Sequence, residues 1–372
     1  MSMAPISVYV HIPFCPRKCG YCDFNSYAMT GDIVDQTTEA IVRQLQTSPL
    51  RGRPAKTVFF GGGTPTFLEA DALNRVLAAV LDTHPPLPEA EITSEANPGT
   101  VDSEKFKAMR EAGFNRVSLG AQSFDTSDLI RLGRVHSPSE VGVAVARARA
   151  AGFQRINVDL MFGLPGQSLA AWRQNLLTAL SLGTDHLSLY GLTIEQNTRF
   201  FKFQQRGMLD LPDDETQSAM YELAVSLCQK HGLEQYEISN FAKPGHECQH
   251  NLAYWHCEEY AAYGPGAVGC IGPWGQRRRF TNLKGPKLYV DAISQGRPGF
   301  IEEEEVDAIT QETERIMMGL RLNTGIKVES VDLRELTKLV KSGHLESQED
   351  RIRLTPAGRL VANQVIARLI PG

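Results

Sequence analysis

Cys15, Cys19 and Cys22 stand within eight positions of one another, in the order C-x3-C-x2-C. Thiolates are soft ligands that select zinc, copper(I) or iron–sulfur clusters. A structural zinc site closes with four ligands, and four-iron clusters that carry electrons are as a rule held by four cysteines. Here three thiolates share a short loop with no fourth beside them. A cluster on these three keeps one iron open to a ligand that is not protein. Zinc would instead recruit a distant fourth ligand such as Cys228, Cys248 or His250. Seven cysteines is an odd number, and crowding three of them argues for a metal site in a reducing compartment over disulfides.

A second stretch with binding chemistry is Gly61-Gly62-Gly63-Thr64-Pro65. Glycines let a ligand lie against free backbone N–H and C=O groups, and they serve equally in a tight turn. Glu95 and Asp159 follow apolar strand residues and offer carboxylates to an amine or a ribose hydroxyl; helix caps or salt bridges would use them as well. Gln122 and Arg134 carry the same two readings. Between 246 and 257 the chain packs three histidines, two cysteines and two aromatics. Imidazole or thiolate can ligate haem iron. Cys248, His250, His256 and Cys257 could instead hold zinc, and a plain packed loop remains the third reading.

These residues need a scaffold, and the pattern supplies one. From residue 7 to about 192 a β-rich run alternates with a helical stretch. Strands are expected over 8–12, 57–60, 91–95, 116–120, 155–160 and 186–190, several of them apolar runs as in a parallel sheet covered on both faces. Helices are expected over 33–45, 70–81, 103–112, 139–151 and 169–182, with Gly113, Gly152 and Gly183 just past three of them, where glycine accepts the left-handed conformation. Asp102 or Ser103 and Ser137-Pro138 read as helix starts. About six such repeats favour a closed or nearly closed barrel of parallel strands over a two-layer sandwich, and in such barrels functional groups collect at the carboxyl ends of the strands. The cysteines, the glycine run, Glu95, Gln122, Asp159 and Tyr190 all fall there. After 192 the rhythm changes: a long helix over 211–231, an irregular stretch over 236–300, then a winged-helix-like order of elements. Three regions are expected: 1–235 for the barrel, 236–300 for the His/Cys/aromatic segment, and 301–372 for the C-terminal domain.

The 372 residues are 42% hydrophobic and carry a net charge of −5. That charge attracts neither nucleic acid nor an anionic membrane, which argues against DNA binding by the C-terminal module. No apolar run approaches the ~20 residues of a membrane span, and the first five residues lack a signal-peptide pattern. A cytoplasmic location is expected.

The residues also resemble a known family. Tyr9-Val10-His11-Ile12-Pro13-Phe14-Cys15 with the three-cysteine spacing is similar to the radical S-adenosylmethionine (SAM) superfamily. More narrowly it resembles the relatives of oxygen-independent coproporphyrinogen III oxidase. Glu95-Ala96-Asn97-Pro98-Gly99-Thr100, Gly120-Ala121-Gln122-Ser123-Phe124, Leu132-Gly133-Arg134, Asp159-Leu160-Met161-Phe162-Gly163-Leu164-Pro165 and Ala242-Lys243-Pro244-Gly245 extend the likeness along nearly the whole chain. The resemblance implies a partial (β/α)6 barrel with a 4Fe–4S cluster on Cys15, Cys19 and Cys22, and SAM chelating the open iron. Tyr9, Tyr21, Gly62, Gly63, Thr64, Glu95, Gln122, Arg134 and Asp159 match positions lining the SAM site. Decarboxylating oxidases of the family carry a further cysteine at the position of Phe24 and an extension before the barrel. The other branch, a set of haem chaperones, shares Asp23-Phe24-Asn25-Ser26 and an H-N-x-x-Y-W motif, here His250, Asn251, Tyr254 and Trp255. That branch implies haem as cargo, acceptor haemoproteins of the respiratory chain as partners, and a cluster-dependent homodimer. Relatives of the branch often have histidine where Val268 stands. The alternative function is a radical SAM coproporphyrinogen III oxidase or dehydrogenase, or another tetrapyrrole-modifying enzyme.

Overall fold

Six parallel strands follow one another in sequence and in space: β1 (Ile6–Ile12), β2 (Ala55–Gly62), β3 (Pro86–Ala96), β4 (Arg116–Gln122), β5 (Arg155–Phe162) and β6 (His186–Gly191). The structure is a computed structural model that describes residues 4–329 and 331–370, apart from the side chain at position 302. Part of the start that was expected to lack a signal-peptide pattern therefore lies outside the described residues. Helices α1 (Asp32–Gln46), α2 (Ala70–Thr83), α3 (Ser103–Ala112), α4 (Thr126–Leu132), α5 (Pro138–Ala150) and α6 (Leu169–Ser181) occupy the crossovers. The expected partial (β/α)6 barrel is present.

One expectation is corrected. The strands are not apolar on both faces. Val8, Val10, Val58, Phe60, Val117, Leu119, Ile156, Val158, Leu187 and Leu189 belong to the main hydrophobic core with the helices. The alternate residues Tyr9, Glu95, Arg116, Ser118, Asn157, Asp159, Ser188 and Tyr190 line a cavity inside the barrel. Side chains alternate along a strand, so an apolar outer wall and a polar inner one are written in a single period of two. The helix signals act as expected: the Asp102 side chain accepts from the Lys105 N–H, and Ser137 with Glu140 forms a capping box.

The barrel stays open between β6 and β1. Short strands β7 (Glu234–Gln235) and β8 (Asn240–Ala242), which follow α7 (Arg199–Gln205) and α8 (Asp214–Lys230), extend the sheet antiparallel beyond β6. On the other side β9 (Tyr260–Tyr263) adds parallel to β1, followed by β10 (Val268–Ile271), β11 (Gln276–Asn282) and β12 (Phe300–Asp307). The stretch expected to be irregular therefore holds five of the twelve strands in part or whole, together with α9 (Gln249–Trp255) and α10 (Pro286–Ser294). Strands of three or four residues, and one opening Gln276-Arg277-Arg278-Arg279, carry too little apolar alternation to be seen in the sequence. In β11 the arginines pair across to Glu303 and Glu304 of β12 at 3.1 and 3.0 Å.

The C-terminal elements are α11 (Ala308–Gly319), β13 (Ile326–Lys327), α12 (Leu333–Lys341), β14 (Leu345–Gln348), β15 (Arg351–Leu354), α13 (Pro356–Leu360) and α14 (Ala362–Leu369). They enclose a core of their own built on Ile316, Leu336, Leu339, Ile352, Val365 and Leu369. This module touches the barrel through Gln235, Tyr236 and Glu237, and through the Arg321 guanidinium, which lies 6.0 Å from the Trp255 ring centre. Those contacts fall on segments between β6 and β9. Among the described residues no helix is long and apolar enough to cross a membrane.

Candidate functional site

The three cysteines belong to a loop that leaves the end of β1 and is tied down on several sides. Cys15 N–H donates to the Tyr27 carbonyl at 3.0 Å, Tyr27 N–H to Pro13 at 2.7 Å, and Gly20 N–H to Leu132 at 3.1 Å. Asn25 is the hinge pin of this loop. Its carbonyl meets His11 Nε2 at 2.8 Å, and its amide donates to the carbonyls of Pro265 and Lys284, each at 3.0 Å. The thiols themselves are half-buried and make no disulfide. Burial pushes the Cys15 and Cys22 thiols up, and for Cys15 the Thr64 hydroxyl opposes part of that.

The glycine run beneath the loop has a packing reason. A side chain on Gly62, at φ 108°, would lie 2.4 Å from the His11 ring, and one on Gly63 would lie 2.5 Å from the Phe14 carbonyl oxygen. Both glycines nonetheless line the cavity, and Thr64 Oγ1 reaches Cys15 Sγ at 3.5 Å. Arg134 follows the left-handed Gly133 that ends α4. Its guanidinium donates to the Gly120 carbonyl at 2.6 Å and to Cys19 Sγ at 3.7 Å, while its buried Nε finds no partner among the described residues. Gln122 closes β4 at φ 67°, a backbone region that costs a non-glycine residue energy and recurs at binding sites.

The cavity measures about 420 Å³. Tyr9, Tyr21, Gly62, Gly63, Thr64, Glu95, Gln122, Arg134 and Asp159 line it together with Cys15, Cys19 and Cys22. Glu95 is pushed up to about 8, first by burial and then by the neighbouring Asp159 charge. Asp159 is also raised by burial, against hydrogen bonds from Asn157 and Ser118 at 2.7 and 3.2 Å. Two buried carboxyls, both raised above the ordinary carboxylate range, thus face a cavity that a cation would suit, since a nearby positive charge favours ionisation.

The residues of the H-N-x-x-Y-W motif divide. His250, Asn251 and Tyr254 line the same cavity, at the end opposite the cysteines; Trp255 lies outside it. Helix α9 crosses beneath the amino ends of the strands. The Glu91 carboxylate accepts the N–H groups of Gln249 at 3.2 Å and His250 at 3.1 Å, with Arg116 and Arg155 at 3.9 and 3.6 Å. His250 is 1% exposed. Its Nδ1 meets Thr57 Oγ1 at 2.8 Å and its Nε2 meets the Tyr254 hydroxyl at 3.0 Å, so neither ring nitrogen is spare. Phe59 stacks on the ring at 5.1 Å, and burial pushes the imidazole down to about 3. Cys248 places its thiol 3.4 Å from Glu91, and Cys228 is buried on α8. Among the described residues no three His, Cys, Asp or Glu side chains converge on a single metal ion.

Arg116, Ser118, Asn157 and Ser188 line the cavity without having been singled out from the sequence. The signal was there, as polar residues two apart in Arg116-Val117-Ser118 and Asn157-Val158-Asp159.

Residues 9–177 match the radical SAM superfamily, and residues 306–361 match the HemN C-terminal domain. The chain is 38% identical to the heme chaperone HemW of Bacillus subtilis (strain 168) over 98% of this chain and 99% of that protein. The chain belongs to the HemW family of radical SAM proteins. It is likewise 38% identical to heme chaperone HemW of Escherichia coli K12, over 98% of each chain. Among solved structures, coproporphyrinogen III oxidase (HemN) of Escherichia coli superposes with a TM-score of 0.85 at 22% identity, covering all of this chain and 91% of that one. That likeness concerns the fold alone. Against the HemW family, the cavity holds every thiol and carboxylate that the radical SAM resemblance implied. An all-thiolate donor set, with a guanidinium at one sulfur and an unsatisfied buried Nε beside it, fits an anionic iron–sulfur cluster.

Proposed function

We propose that this protein is a haem chaperone, which binds haem and passes it to acceptor haemoproteins, among them those of the respiratory chain. In this proposal Cys15, Cys19 and Cys22 hold a 4Fe–4S cluster, SAM occupies the open iron, and the protein works in the cytoplasm and assembles as a homodimer. The observation that supports it most is the end-to-end identity of 38% with proteins named heme chaperones, against 22% with the oxidase of the same fold. Phe24, which is 62% exposed at the cavity mouth, stands where the resemblance places an extra cysteine in the oxidases. Oxidation of coproporphyrinogen III is accordingly not proposed.

The chain's own residues have distinct tasks in this scheme. Thr64 and Arg134 donate to the sulfurs of Cys15 and Cys19 and disperse thiolate charge. Glu95 and Asp159 would take up the cationic portion of SAM, whose positive charge would favour ionisation of the Glu95 carboxyl. Tyr9 and Tyr21 would wall the site against water, and Gln122 would offer its amide from the strained end of β4. When bound, the cluster supplies single electrons.

Anaerobic purification should yield about four iron per chain, and haemin added to that protein should develop a Soret band. Absence of the band with the cluster intact would sink the chaperone reading. Incubation with coproporphyrinogen III, SAM and a reductant should release no CO2; release would revive the oxidase alternative.

A further inference from the structure

A cargo that must be both taken up and given away needs an accessible wall, and the floor around His250 offers none. A second cavity of about 680 Å³ lies behind the cysteine loop and shares Arg17, Cys19 and Cys22 with the first. Its volume is within the range of small-molecule sites, which are mostly apolar with a few placed polar groups. Its walls are the loop, the end of α4, the turn at Pro165 and the segment around α7. Phe203, Leu209, Ile130 and Met208 supply the apolar lining, over a satellite core of Leu132, Met161, Leu164 and Phe200. Ile130 is 71% exposed and Met208 62%, so two large apolar side chains of this cavity's lining are left largely open.

The charge around this apolar patch reverses that of the whole molecule. Arg17, Lys18, Arg131 and Arg199 line it, with Asp210 as the one acid among the described lining residues, on a chain whose net charge is −5. The Arg199 guanidinium lies 5.0 Å from the Phe203 ring centre, which sets a cation and an aromatic face side by side. Lys18 is engaged by the carbonyls of Phe24 and Ser26 at 3.1 and 3.2 Å, and Arg131 by the Pro165 carbonyl at 3.0 Å and the Asp128 carboxylate at 3.7 Å. A flat apolar ligand with carboxylates on one edge would satisfy both features at once.

We propose that this second cavity is the haem uptake site, with its apolar wall covering the macrocycle and Arg17 and Arg199 pairing with the two carboxylates. The proposal rests on the chaperone reading and assigns that reading a location on the outer side of the cysteine loop. Haem and its dimethyl ester, which lacks the two charges, are titrated into the full-length protein carrying its cluster, and the Soret band is followed. Wild type should bind haem more tightly than the ester. Arg199→Glu and Met208→Glu, both changes at exposed positions, should each weaken haem binding about tenfold and shrink the preference over the ester. Cluster absorbance and melting temperature should stay at wild-type values. If wild type binds haem but both variants bind it equally well, the cavity is not the site, and the chaperone reading survives. If wild type gives no Soret band, the chaperone reading fails and the assignment fails with it.

Discussion

The two ends of the barrel cavity are built on opposite terms. At the rim, three thiols sit half-exposed on a loop held by backbone hydrogen bonds, and Arg134 keeps one donor atom unsatisfied. At the floor, His250 is enclosed, stacked and bonded through both nitrogens, and Glu91 ties the helix beneath it to two arginines. Both ends carry metal-binding residue types. The rim leaves its groups available, whereas the floor uses up its own. Availability separates a binding surface from a structural plug, because an engaged group must break existing bonds before it can ligate.

Substitutions should expose that contrast. The largest effect is expected for Cys19→Ala, which should drop iron and sulfide to background while leaving the far-ultraviolet circular dichroism unchanged; a variant that keeps its iron would show that Cys19 is not a ligand. Glu91→Ala should do the reverse, costing about 3–5 kcal/mol of stability because Arg116 is left buried and uncompensated. Chemical denaturation measures it, and a loss below about 1 kcal/mol would show that the floor is not the structural end.

The two ends should also respond to pH with opposite signs. His250 is held neutral with its pKa near 3, below the ordinary 6.5, so its stabilising contribution is complete above about pH 6.5 and is lost as pH falls toward 3. Glu95 is raised to about 8 from an ordinary 4.5, so its contribution is complete below about pH 4.5 and is lost as pH rises through 8. Melting temperatures of ligand-free protein across pH should show a flatter acid limb for His250→Asn and a flatter alkaline limb for Glu95→Gln. An unchanged profile in either variant would remove that residue from the account. The smallest effect is expected for Phe24→Ala. At 62% exposure it should shift stability by less than about 0.5 kcal/mol and leave the iron content intact.

Much of the rim is legible in the sequence. The cysteine spacing, the glycine run and the carboxylates at strand ends are local patterns, and parallel β-α repeats carry such ends to one rim by topology alone. The packing role of Gly62 against His11 is not legible there, since those residues meet only once β1 and β2 pair. Nor is that of Asn25, whose partners lie 240 and 259 positions away. The α9 segment is legible as a cluster of residue types and illegible in its meaning. His250 touches Thr57 across 193 positions and Glu91 across 159.

Sequence alone determined the chemistry-bearing residue types, the β-α rhythm and the family, because each of these is carried by spacing along the chain or by identity along its length. Tertiary structure decided which groups are free. It set the three thiols at an accessible rim, consumed the imidazole of His250 in the floor, and gathered four cations around a second cavity from segments of the chain far apart in sequence. Whether a donor is available depends on what packs against it, and that is a property of contacts the chain makes only when folded.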